Sequence, residues 1–246
     1  MLLRWPEKKK QRPLHGAIRV DRPFFVTDNV TKMGQYVKVR GRGARFAALL
    51  ALSSSQEGYF TTAQARAAGW SRRALVHHAR TGMLLRVARG LYRLSGIPEP
   101  PFGDVVAAWL AVGPENAVVS HWTALEVLGL VPTRSHEVHL TVPRERRPRR
   151  PPPLPWVRVH SSSRPIGPEE TVWRGCVPVA SAARAIADVA DQGDVGTVHA
   201  AVGEGLRSGA VTDREILAAL RGRRRAVRVM VEDALLRASM DRSVVP

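Results

Sequence analysis

GYFTTAQARAAGWSRRALVHHARTGMLLRVARGLYRL, residues 58–94, is the stretch that decides how the rest of this 246-residue chain is read. Thr61 and Thr62 both suit a helix N-cap, because a hydroxyl oxygen there accepts one of the backbone N–H groups that a first turn leaves unbonded. Residues 63–68 are short and Ala-rich and stop at Gly69, which predicts a helix of about two turns. After the Gly69–Trp70 turn, Ser71 is placed to cap a second helix over residues 72–80, with Leu75 and Ala79 four apart on its inward side. Gly82 stops that helix. Leu84, Leu85 and Val87 then read as a strand, Arg89–Gly90 as a turn, and residues 91–94 as the returning strand of a hairpin. A short capped helix, a glycine turn, an arginine-bearing helix and an arginine-rich hairpin, in that order, predict a winged helix-turn-helix. A preceding helix from Ala44, with Phe46, Leu49, Leu50 and Leu52 at helical spacing, supplies its third helix.

A helix of this length fits the DNA major groove. Its outward residues Ser71, Arg72, Arg73, Val76, His77 and Arg80, with Thr62 at the start of the preceding helix, are the expected DNA contacts. Arg86, Arg89 and Arg93 are expected to let the wing grip the backbone or the minor groove. Each residue type has an ordinary reading too: arginines on a helix commonly form a solvated face, and His77–His78 is an ordinary surface pair. RNA is the competing polyanion, but the aromatic strand motif of the commonest RNA-binding sheet domain is absent.

Charge agrees with the local reading. Lys and Arg total 38 against 21 Asp and Glu, a formal net charge of +17 and a pI near 11.5. Arginine supplies most of the excess, and its planar guanidinium suits phosphate and guanine. GC-rich coding also raises Arg, Ala, Gly and Pro, so the charge alone is compatible with a merely basic protein. Cys176 is the single cysteine, which rules out an internal disulfide and a cysteine-based zinc cluster. No apolar run is long enough to span a membrane, and MLLRWPEKKKQRP is too charged for a signal peptide, so a cytoplasmic protein without membrane contact is expected.

Four regions follow. Residues 1–43 mix Lys, Arg, Pro and Gly around one apolar patch at 24–26, and read as a disordered basic arm; Met33 offers an alternative start. Residues 44–97 form the winged domain. Residues 98–193 read as an α+β domain: an amphipathic helix over 102–112, a strand at 117–119, a helix after Ser120 ending at Gly129, alternating strands at 137–142 and 156–160, a strand at 176–179, and a helix capped by Ser181. The connector 143–155, rich in Pro and Arg, reads as mobile. Residues 194–246 read as helices interrupted by the basic run 221–225. The fold class is therefore α+β, an N-terminal winged helix-turn-helix followed by a mixed domain and C-terminal helices.

No catalytic centre emerges. His136 and His139, three apart on a strand, point to opposite faces, which argues against a shared metal. His160 beside Ser161–Ser163 lacks a nucleophile elbow. Asp188 and Asp191 lie on one helix face and are expected to balance Arg184. A nuclease needs acidic ligands together with a lysine, and no lysine follows Lys38. No enzyme activity, metal or cofactor is expected.

Residues 58–94 closely resemble the N-terminal winged-helix domain of AbiEi-family antitoxins. AVVSHWTALEVLGL (117–130), EVHLTVPR (137–144) and VPVASAARAIADVADQG (177–193) resemble further blocks of that family in its order, so the likeness covers roughly residues 44–200. The resemblance implies an autorepressor that binds double-stranded DNA at repeats in its own promoter and opposes a nucleotidyltransferase-like toxin. The alternatives are a stand-alone regulator without a toxin and, more remotely, a nucleic-acid enzyme. Operator sequence and the choice between monomer and dimer stay open.

Overall fold

The computed structural model describes residues 42–132, 136–164 and 166–244. The expected basic arm therefore lies outside the described residues, except for its last two positions, which open the first helix.

The N-terminal part runs α1 (Arg42–Ser54), β1 (Tyr59–Thr61), α2 (Thr62–Ala67), α3 (Arg72–Arg80), β2 (Leu84–Ala88) and β3 (Leu91–Leu94). Its sheet has the order β1-β3-β2, all antiparallel, so Tyr59 lies opposite Arg93 and Leu85 flanks Arg93 on the other side. Leu49, Phe60, Leu75 and Leu84, all at most 1% exposed, anchor a small core between the helices and one face of this sheet. Strand β1 was not foreseen, because three residues are too short a run to show a period.

The remainder runs α4 (Gly103–Val112), β4 (Val118–Val119), α5 (His121–Val127), β5 (Val138–Pro143), β6 (Val157–Ser162), β7 (Thr171–Arg174), β8 (Val177–Ala180), α6 (Ala182–Asp191), α7 (Val195–Ser208), α8 (Asp213–Ala219) and α9 (Arg225–Val244). Its sheet has the order β6-β5-β4-β8-β7, with β5–β6 and β4–β8 parallel and the other pairs antiparallel. Ser181 caps α6 as expected, and Asp194 caps α7.

Three expectations change here. Helix α4 is not amphipathic: Val105 to Leu110 are all buried, because it is enclosed between the small sheet and the large one. Strand β5 does not alternate, since five of its six residues are buried between neighbouring strands and helices. The connector 143–155 is the crossover that a parallel β5–β6 pair demands. It carries a single 3-10 turn at Arg144–Arg146 and sends Leu154, 5% exposed, back into the core. Strand β7 was also missed.

Tyr59 and Leu91 belong to the larger core rather than the small one, so the two cores meet where β1 and β3 pack on α4. The Tyr59 hydroxyl lies 3.5 Å from Glu99, and burial is the main cause that pushes it up to about 12.

Candidate nucleic-acid interface

The α2–turn–α3 unit is fixed by its caps. Thr61, not Thr62, caps α2: its hydroxyl accepts the Gln64 N–H at 3.2 Å, and the Gln64 side chain accepts the Thr61 N–H at 2.8 Å. Gly69 turns the chain with φ +82, a region that a side chain rarely enters. Trp70 then buries its indole and donates Nε1–H to the Arg45 carbonyl at 3.0 Å, which ties the turn to α1. Ser71 accepts the Ala74 N–H at 3.1 Å, and Leu75, fully buried, seats α3.

This seating sets what α3 presents outward. Ser71, Arg72, Arg73, Val76, His77 and Arg80 are all exposed. His78 is only half-buried and packs edge-on against Trp70 at 5.2 Å. At the hairpin, Arg86 and Arg89 are exposed and Gly90 makes the tight turn with φ +84. Thr62 is half-buried and works inside the fold: its N–H and its hydroxyl both donate to the Gly90 carbonyl, at 2.8 and 3.3 Å, and so fix the hairpin against α2.

Arg93 is a correction. It is 7% exposed, donates Nη2–H to the Ile97 carbonyl at 2.5 Å, and holds its guanidinium 5.7 Å above the Tyr59 ring. Strand alternation puts it on the face with Leu91, under α4, rather than on the outer side of the wing. Sequence reasoning in turn passed over Arg66, exposed in the last turn of α2. Between Gly58 and Leu94 the chain carries Arg66, Arg72, Arg73, Arg80, Arg86, Arg89 and the buried Arg93 and neither Asp nor Glu, so every charged side chain this unit exposes is an arginine.

The second basic cluster, at 221–225, is spent in part within the fold, through Arg223 and Arg224. Arg223 donates to Asp188 at 2.5 Å and also meets Asp191, and Arg224 reaches Asp191 at 2.9 Å. Arg184, 5% exposed, joins Asp188 and Glu170, each at 3.0 Å. Asp188 thus balances Arg184 as expected, whereas Asp191 serves the 221–225 run.

Among the described residues no group of three or more His, Cys, Asp and Glu is arranged to hold a metal ion, and no helix is long and apolar enough to cross a membrane. His136 lies outside β5, so the strand argument about its pairing with His139 does not apply. His139 instead meets His121 and His160, a meeting with no local sequence signal because α5, β5 and β6 bring them from three separate segments.

The chain is similar in fold to the crystal structure of the RV2827C protein from Mycobacterium tuberculosis, with a TM-score of 0.54 at 13% identity, over 79% of this chain and 77% of that one. No curated protein matches it in sequence. Residues 47–95, the segment that holds α2, α3 and the hairpin, match the model of the family described as "Transcriptional regulator, AbiEi antitoxin".

Proposed function

We propose that this chain is a sequence-specific, winged helix-turn-helix DNA-binding autorepressor of the cytoplasm that acts as the antitoxin to a nucleotidyltransferase-like toxin. The observation that carries the reading is the outward face of α3, where Arg72, Arg73, Val76, His77 and Arg80 stand exposed on a helix held from behind by Leu75. Arg72 and Arg73 on the first turn suit guanine edges or phosphates, Val76 suits a thymine methyl, and Arg86 and Arg89 suit the flanking backbone. The family match supports a regulatory role for residues 47–95. Within the partition at residues 44–97, 98–193 and 194–246, the parts beyond the reader are assigned to toxin neutralisation.

The test is a gel-shift titration of the full chain against its own upstream promoter region and a scrambled probe of equal length, at about 150 mM salt, where non-specific phosphate binding is weak. Selective binding of the promoter is expected; equal binding of both probes would reduce the protein to a general polyanion binder. The toxin assignment is tested by co-expression with the neighbouring gene product, where residues 98–246 should relieve growth arrest as the full chain does. Relief by the full chain alone would refute that division of labour.

A further inference from the structure

The last helix carries more apolar surface than the fold uses. Along α9, Val227, Val231, Ala234 and Ala238 recur at 4, 3 and 4 residues and are buried against α6 and α7. The opposite side of the same helix carries a second apolar line. Val229, Leu236 and Met240 are 55%, 61% and 66% exposed, the three highest values among the large apolar side chains of the described residues. A helix packed on one side only has a polar outer face, whereas apolar lines on two opposite sides are the pattern of a helix with two neighbours.

The outer line has the spacing of a helix-pairing seam. Ala226, Val229, Asp233, Leu236 and Met240 follow one another at 3, 4, 3 and 4 residues, so they stay on one side of the helix over about four turns. The carboxylate of Asp233 is drawn towards α7 and away from the apolar residues: it accepts Arg237 Nε–H at 2.9 Å and lies 3.2 Å from His199 Nε2. Charge flanks the line on both sides, with Glu232 on one and Arg237 on the other. In two parallel copies of one heptad helix, a residue on the first side faces the residue five positions further along its neighbour, which brings Glu232 to Arg237 of the second copy. Glu232 has no partner among the described residues, and Arg237 engages only Nε, which leaves both terminal nitrogens to donate.

We propose that this line of α9 is the contact through which two copies of the chain pair, helix beside parallel helix about a two-fold axis. The occupant is a second copy because the seam is complementary to itself. Val229, Leu236 and Met240 meet their equivalents, and Glu232 meets an arginine twice over, a match that a chemically different partner has no need to reproduce. Three side chains at this exposure form an apolar patch on the order of 300 Å², within the range that marks an interaction surface on a monomer. Buried from both copies, together with the stems of Arg225, Glu232 and Arg237, it approaches the lower end of specific interfaces, about 1,200 Å² in total, so the pairing is reversible and half-dissociates at about 10 µM chain. Two chains joined here bring two arginine-bearing α3 helices into one particle, yet the pairing itself stands apart from any binding of DNA.

The test is sedimentation velocity of the full chain from about 1 to 200 µM in about 150 mM salt. The mass is expected to rise from one chain, 27.0 kDa, to two and no further. Leu236→Glu with Met240→Glu should hold it at one chain over the whole range and leave circular dichroism and melting temperature native, because both side chains are exposed. Leu217→Glu, at a position 48% exposed on α8, should leave the pairing unchanged. Glu232→Arg should weaken it at least about tenfold by setting two arginines face to face, and adding Arg237→Glu should restore most of that loss. A single chain throughout, to about 200 µM, would overturn the proposal and leave the line to a different protein or to another segment of this chain. Pairing that survives Leu236→Glu with Met240→Glu, or a double charge exchange no better than Glu232→Arg alone, would overturn it as well.

Discussion

Lowering the pH from 7 to 5 should destabilise this protein through the three stacked histidines before its carboxylates matter. Burial holds His139 down to about 4 and His121 lower still, whereas an unfolded chain protonates both near 6.5. A group whose folded pKa is depressed leaves stability intact above the unfolded value and erodes it as pH falls below that value. The window is therefore from about 6.5 down towards 4. At pH 5 each ring that stays neutral costs about 2 kcal/mol, from about 1.36 kcal/mol per pH unit over about 1.5 units. Two such rings, discounted for opening and water entry, cost about 2 to 4 kcal/mol in all. For a chain of this size that lowers the melting temperature by about 4 to 16 °C. Salt-bridged carboxylates add their own loss only as pH nears about 4, so the two effects separate. Urea unfolding at pH 7, 6 and 5 measures it. His121→Asn, chosen because asparagine tolerates the left-handed backbone that His121 takes, should remove about half of the loss. Stability that is flat to within about 0.5 kcal/mol over this range, or a slope unchanged by His121→Asn, would refute the reasoning.

Replacing Arg72 and Arg73 with Ala should cost about 1 to 3 kcal/mol for each lost base contact, or lower the salt slope by about one per lost phosphate, read by gel shift at several salt concentrations. Arg93→Ala should leave that salt slope unchanged and lower the melting temperature, since Arg93 binds the Ile97 carbonyl and the Tyr59 ring instead of solvent-facing ligands. Leu75→Ala should destabilise by about 2 to 5 kcal/mol in urea titrations, because the side chain is fully buried. Asp188→Asn should cost about 1.5 to 3 kcal/mol, as the buried Arg184 and the half-buried Arg223 each lose one charged acceptor while keeping Glu170 and Asp191.

The parts of the molecule that were legible in the sequence are those set by local chemistry. Ser71, Gly69, Gly82 and Gly90 each act through their immediate neighbours, and the α2–α3–hairpin order follows from them. Arg93 was misplaced because its charge was weighed above its position. In β3 it alternates with Tyr92 and Leu94 and shares a face with Leu91, a face covered by α4, an element still further along the chain. The histidine cluster was hidden for the same kind of reason. His121 and His160 are 39 residues apart and meet only because β5 and β6 run parallel beside α5. The uniform burial of α4 is equally a product of packing, since its periodicity alone cannot report that two sheets enclose it.

The single bridge between β4 and β8, Val119 to Val179, has a consequence for the way the chain is made. Every pairing inside the three-stranded sheet is complete once residue 94 has been synthesised, whereas β4 waits some sixty residues longer for the strand that lies beside it. During that interval β4, β5 and β6 have one side of their sheet open, and pairings this distant in sequence form slowly. Translation thus separates the molecule in time: the arginine-bearing head acquires its shape early, and the body closes only when β8 slides in between β4 and β7.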